Sequence, residues 1–263
     1  MGYQFPVSAA MRKEEMFPLD DHESSHMPFA APGEGEEKQL CCLKVNGVWK
    51  VHYFDGSGWR RLFTGANEDA TECCPTAEWH PDYRQWTVSF IAGGSVMNGW
   101  RDVGFMLYRK WGFDGTPPVK VCPADVGYVW KRQATFASSV GPIVQYEGSV
   151  KTVTKLKGVD YIYRLSYDPF SPRDILMSLQ KKDGSLVSCR WSPLANELTL
   201  ITDGGEPCYK CAVWRDGVYY CRRRDGGGFE ERRIVKAESL ELTPVDPGAL
   251  IEGVEVTEAE EAL

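Results

Sequence analysis

No apolar run in this chain approaches the roughly 20 residues that a membrane-spanning helix needs. Residues 1–16 lack the basic start and apolar stretch of a secretory signal. Gly2 would suit myristoylation, but Pro6 stands where that signal wants Ser or Thr. The expectation is a soluble protein, cytoplasmic or part of a particle assembled inside a cell. Basic charge is also short. Thirty Lys and Arg against 37 Asp and Glu leave a formal net charge of -7. That balance disfavours nucleic acid as a partner, although Arg222, Arg223 and Arg224 are consecutive. Finally, residues 39–243 show no sustained helical period.

What is present is core-forming material. With 43% hydrophobic and 12% aromatic residues, the 263-residue chain can bury a sizeable core. Its length fits one large all-β domain or two small ones. Nine cysteines include two adjacent pairs, Cys41-Cys42 and Cys73-Cys74. Neighbours on a strand point to opposite faces, so each pair is expected to place one thiol inward and one outward. In an intracellular chain these thiols are expected reduced rather than joined in a disulfide framework.

Strand and turn signals are dense between residues 39 and 243. Residues 40–45 and 49–54 flank Asn46-Gly47, a hairpin turn whose residues both tolerate positive φ. Further turns are expected at Asp55-Gly56, Asp114-Gly115, Asp183-Gly184, Asp203-Gly204 and Asp216-Gly217. The two ends differ from this body. Residues 1–37 carry four prolines and two acidic clusters, and read as an extended arm with one short helix near 9–16. Residues 245–263 read as an acidic, irregular tail with a short helix from Thr257. The division is thus an arm at 1–37, a β body at 38–244 and a tail at 245–263.

Within the body one unit nearly repeats. Trp79-His80-Pro81 leads into residues 86–91, and Trp191-Ser192-Pro193 leads into residues 198–202, in alignment without a gap. Tyr167-Asp168-Pro169, followed by residues 175–178 and Asp183-Gly184, is a third, weaker copy. The aromatic-x-Pro turn, the strand after it and the closing Asp-Gly turn resemble WD40-like repeats of the TolB type. That resemblance implies an all-β, β-propeller-like fold of five small blades, with Trp79, Trp86 and Trp191 packed between blades. A two-sheet β-sandwich or an irregular barrel is the alternative for such a string of short strands. The copies are unevenly spaced: 112 residues separate Trp79 from Trp191, and 24 separate Tyr167 from Trp191.

Chemistry is thinly signalled. His22-Glu23-Ser24-Ser25-His26 matches the zinc-protease pattern, but Pro18 and Pro28 bracket it and deny it the helix that pattern needs. Cys208 and Cys211 have the spacing of a zinc knuckle but sit in an expected strand with no second such pair. No metal and no cofactor is therefore expected, with His22, His26, Cys208 and Cys211 the residues to watch. A carbohydrate-active propeller would need two acids on one cleft, for which Glu147, Asp168 and Asp174 are the candidates. For binding, Trp59, Trp100, Arg101 and Trp111 stand beside glycines or in the loop 93–101. The reading is a non-catalytic β-rich binding or assembly protein. Its loops would meet a protein or glycan partner and its arms would tether it, as in a structural component of a phage virion. A glycoside hydrolase-like enzyme is the alternative.

Overall fold

A computed structural model describes residues 24–25, 29–64, 70–93, 96–97, 100–101, 104–131, 133–169, 173–195, 197–203, 206–213, 218–225, 228–235, 241–245 and 251–258. Every regular element among them is a β-strand. The first sheet holds β1 (Ser24–Ser25), β2 (Phe29–Pro32), β3 (Glu37–Val45), β4 (Val48–Phe54) and β5 (Trp59–Arg61). In the second are β6 (Thr71–His80), β7 (Gln85–Gly93), β10 (Met106–Trp111) and β11 (Val119–Pro123). Between β7 and β10 the chain forms a small separate hairpin, β8 (Val96–Met97) with β9 (Trp100–Arg101). The third sheet comprises β12 (Val126–Trp130), β13 (Gln133–Ala137), β14 (Ile143–Glu147) and β15 (Val150–Leu156). The fourth comprises β16 (Val159–Tyr167), β17 (Ile175–Lys181), β18 (Leu186–Ser192), β19 (Glu197–Asp203) and β20 (Glu206–Pro207).

These four antiparallel sheets are arranged as the blades of a β-propeller. Four blades stand where five were expected; beyond them lies a three-stranded sheet, β21 (Tyr209–Val213), β22 (Val218–Asp225) and β23 (Gly228–Val235). The chain then returns to earlier sheets. β24 (Glu241–Val245) pairs with β19, and β25 (Ile251–Glu258) pairs along β15 from Val150 to Leu156. Thr257, where a helix was expected to begin, lies inside β25. At the other end β2 pairs with β3, and its Phe29 and Ala31 are buried. The segment expected as an arm therefore supplies part of the core. The helix expected near 9–16 lies outside the described residues.

Local chemistry explains the hairpins. Asn46 and Gly47 adopt φ of 50° and 78°, so their positive-φ tolerance is used where β3 turns into β4. At Asp114-Gly115 the carboxylate does the fastening. Oδ1 of Asp114 accepts the Thr116 N–H at 3.0 Å and the ammonium of the buried Lys110 at 3.0 Å. Beyond these turns, the two Trp-x-Pro copies share one hairpin register: Trp79 faces Trp86 and Trp191 faces Leu198, each seven residues on. They differ in place. The first hairpin joins the first two strands of the second sheet, and the second joins β18 and β19 of the fourth. A shared hairpin at non-equivalent places in the blades accounts for the uneven spacing. Trp86 and Trp191 are buried, while Trp79 is half-buried and holds the Trp86 ring at 5.6 Å.

Tyr167 ties the four sheets together. It ends β16 in the fourth sheet, and its ring lies 5.8 Å from Phe29 of the first and 5.4 Å from Tyr128 of the third. Its hydroxyl donates to the carbonyl of Ala77 in the second. A second tie is polar. Buried Glu72 of β6 accepts the Val51 N–H at 2.7 Å and lies 3.5 Å from the Lys50 ammonium, joining the first sheet to the second. Burial pushes the Glu72 carboxyl up from its ordinary value.

Neither cysteine pair shows the expected one thiol inward and one outward in full. Cys41 and Cys42 alternate in a regular register but are both buried, because both faces of β3 are covered there. At Cys73-Cys74 the pairing of β6 with β7 skips between Cys73 and Thr76, and Cys74 turns to φ 51°. The described cysteines are free thiols.

Candidate functional site

A surface cavity lies where the second sheet meets the third. β10 and β11 contribute Arg109, Val119, Lys120 and Val121, and β12, β13 and the turn between them contribute Val129, Lys131 and Ala134. Together they line a cavity of about 150 Å³. Val129 and Ala134 are buried and form an apolar wall. The three cations stand around it. Nε of Arg109 is buried and has no protein acceptor.

An aromatic group adjoins this cavity. Arg109 and Trp111 are two apart on β10 and so share a face. The guanidinium lies 5.4 Å over the Trp111 ring. The His80 ring packs 5.8 Å from Trp111 and 6.4 Å from Tyr83, which sits in the β6–β7 turn and is 72% exposed. Trp111 itself is 39% exposed. Exposed rings beside cations offer stacking and charge recognition on one surface.

The nearby acid is only about half ionised at pH 7. Glu78 accepts the Lys131 N–H at 2.7 Å, and burial raises its carboxyl to about 7. Burial, then Lys131 and Arg109, lower the pKa of His80, so the imidazole is neutral at pH 7. Its 3.4 Å contact with Glu78 is then not a full ion pair. What remains around the cavity is positive, on a chain whose net charge is -7. Such a site takes an acidic group with an apolar or planar neighbour. Its size decides the scale, because small-molecule pockets run about 300–1,000 Å³. A cavity of about 150 Å³ suits one side chain rather than a cofactor.

Of the residues singled out from sequence, Trp111 belongs to this surface. Trp59 is half-buried at the end of the β4–β5 hairpin, its ring 5.7 Å from Phe54. Trp100 and Arg101 form β9, and their side chains lie outside the described residues. The three acids are dispersed over two sheets. Glu147 is exposed at the end of β14 in the third sheet. Asp168 and Asp174 share the β16–β17 connection, where the Asp168 N–H donates to the Asp174 carbonyl at 2.9 Å. The Asp174 carboxylate pairs with Arg190 and accepts the Ser192 hydroxyl at 2.7 Å, which ties β18 to the start of β17. Cys208 is buried, its N–H donating to Ile201 and its carbonyl accepting from Ser188. His22 and His26 lie outside the described residues, as does the side chain of Cys211. No group of three or more His, Cys, Asp or Glu positioned for a metal ion occurs among the described residues.

Arg109, Lys120, Lys131, His80 and Tyr83 were not singled out as site residues from sequence. Arg109-x-Trp111 carried a local signal, a cation and an aromatic on one strand face. The approach of Lys131 from the third sheet carried none. No family model matches the chain, and no curated protein matches it significantly.

Proposed function

We propose that this chain is a non-catalytic β-propeller that binds a protein partner through the surface around Arg109, Trp111 and Lys131. The observation that carries the reading is the pairing of a side-chain-sized cationic cavity with exposed Trp111 and Tyr83. Rigid aromatics next to Arg are the residues that anchor protein interfaces. A partner segment with one acidic residue beside an apolar or aromatic one fits the charge and the volume. The terminal segments would then fix the protein to neighbouring subunits, as a structural component of a large assembly such as a phage particle. β2, β24 and β25 pair within this chain, so the tethering role rests on the segments beyond them.

The test uses the full chain as bait for a random-peptide display library. Peptides pairing Asp or Glu with an aromatic residue should be enriched, and Arg109→Ala or Trp111→Ala should weaken their binding at least tenfold. Enriched peptides that bind both variants as well as the parent would overturn the assignment. Removal of residues 1–23, which spares β2, addresses tethering. Unchanged sedimentation in the presence of the assembled partner would refute the tethering role.

A further inference from the structure

We propose that Cys73 and Cys74 form a vicinal dithiol that a hydroperoxide oxidises to a disulfide. This site is separate from the binding surface above. A regular strand would hold neighbouring side chains on opposite faces. Here the β-bulge and the positive φ of Cys74 break that alternation. The two thiols lie close enough that each shifts the other's titration. Cys74 precedes Pro75, and a positive φ is uncommon for any residue but glycine. Strained backbone of this kind is characteristic of functional positions.

The surroundings divide the labour between the sulfurs. The Sγ of Cys74 donates to the Tyr163 carbonyl at 3.9 Å, while the Cys73 side chain, the Arg164 guanidinium and the Leu165 N–H all lower its pKa against burial. The last three favour its thiolate, and its pKa falls below the ordinary thiol value. The Cys73 thiol, by its contact with Cys74 and by burial, is pushed well up. Cys42 also lies near both. One thiol that ionises more readily beside one held protonated is the arrangement that a two-step oxidation requires. Burial selects the oxidant: Cys74 is 8% exposed and Cys73 half-buried, so a peroxide fits where a bulky disulfide does not.

The chemistry balances with the peroxide as the sole oxidant. The Cys74 thiolate attacks one peroxide oxygen, the O–O bond breaks, and hydroxide leaves as water after taking a proton. Cys74 is then a sulfenic acid. The Cys73 sulfur attacks the Cys74 sulfur, the S–S bond forms, the S–O bond breaks, and a second water departs with the Cys73 proton. Two thiols lose two electrons, and the peroxide becomes two waters. Adjacent Cα atoms stand about 3.8 Å apart, shorter than the usual disulfide range of roughly 4.4–6.8 Å, so a vicinal bridge closes only with strain. The resulting ring is strained and thus readily reduced.

The experiment treats the full-length protein with hydrogen peroxide, alkylates the remaining thiols with iodoacetamide and maps the peptides by mass spectrometry. The peptide carrying Cys73 and Cys74 should lose two hydrogens and take no alkyl group there, and dithiothreitol should reverse this. Cys73→Ser should stop at a Cys74 sulfenic acid that dimedone traps, at least about tenfold faster than any adduct at Cys122. Burial pushes the Cys122 thiol up to about 11, which makes it an internal control. The proposal is overturned if wild-type Cys73 and Cys74 both remain alkylatable once Cys122 has been oxidised. A Cys42–Cys74 cross-link in place of the vicinal one overturns it equally.

Discussion

Tyr167 offers the sharpest test of how the propeller holds together. It touches all four sheets: rings of the first and third, a carbonyl of the second, and its own strand in the fourth. Tyr167→Phe keeps the ring and removes the hydroxyl. The buried Ala77 carbonyl then loses a donor that water cannot easily replace, at a cost of about 1–2 kcal/mol. Tyr167→Ala also removes the ring from its contacts with Phe29, Tyr128 and Trp130, which raises the cost to about 3–5 kcal/mol. Urea unfolding followed by tryptophan fluorescence measures both. Amide hydrogen exchange separates a hub from a local contact, because a hub mutation lowers protection in all four sheets at once. Burial holds the phenol well above its ordinary pKa, so both variants should lose the same stability at pH 6 and pH 9. If Tyr167→Phe stays within about 0.5 kcal/mol of the parent, or if Tyr167→Ala loosens the fourth sheet alone, the reasoning is wrong.

Glu78 gives a pH prediction. Its carboxyl is raised from 4.5 to about 7, so the folded state keeps a proton that the unfolded state releases, and stability falls as pH rises from about 4.5 to about 7. At 1.36 kcal/mol per pH unit the ceiling is about 3 kcal/mol, and partial solvent screening brings it to about 1–2. Glu78→Gln should flatten that limb of a urea-unfolding profile, and a profile parallel to the parent's would contradict the assignment. Gly93→Ala would place a Cβ 2.7 Å from the Phe105 Cα and 2.8 Å from the Gly104 carbonyl oxygen. Backbone cannot move aside cheaply, so a loss of about 1–3 kcal/mol is expected, and an unchanged melting temperature would show that the 93–105 approach is looser than described.

What sequence revealed and what it hid divide along the range of the interaction. Asn46-Gly47 and Asp183-Gly184 were legible because a turn is written in its own residues. The shared Trp79 and Trp191 hairpin register was legible for the same reason, but the sheet position of each hairpin was not. β25 was hidden by composition. Residues 251–258 are acidic, and that drew the reading of a tail, although Val254 and Val256 alternate as a strand should. The candidate site was half visible. Trp111 stood out beside Gly112, while Lys131 reaches the same cavity from another sheet, and no spacing in the chain foretells that meeting. The bulge at Cys74 was likewise invisible, since adjacent cysteines on a strand read as opposed.

The return of β24 and β25 to the fourth and third sheets bears on how the molecule is made. A ribosome releases β15 about a hundred residues before β25, the strand that covers its edge. Until then the third sheet presents a row of open amides and carbonyls to whatever is near. Completion of the third sheet thus waits until β25, Ile251–Glu258, has left the ribosome. A chain truncated before residue 251 should leave that edge to pair with another copy of itself.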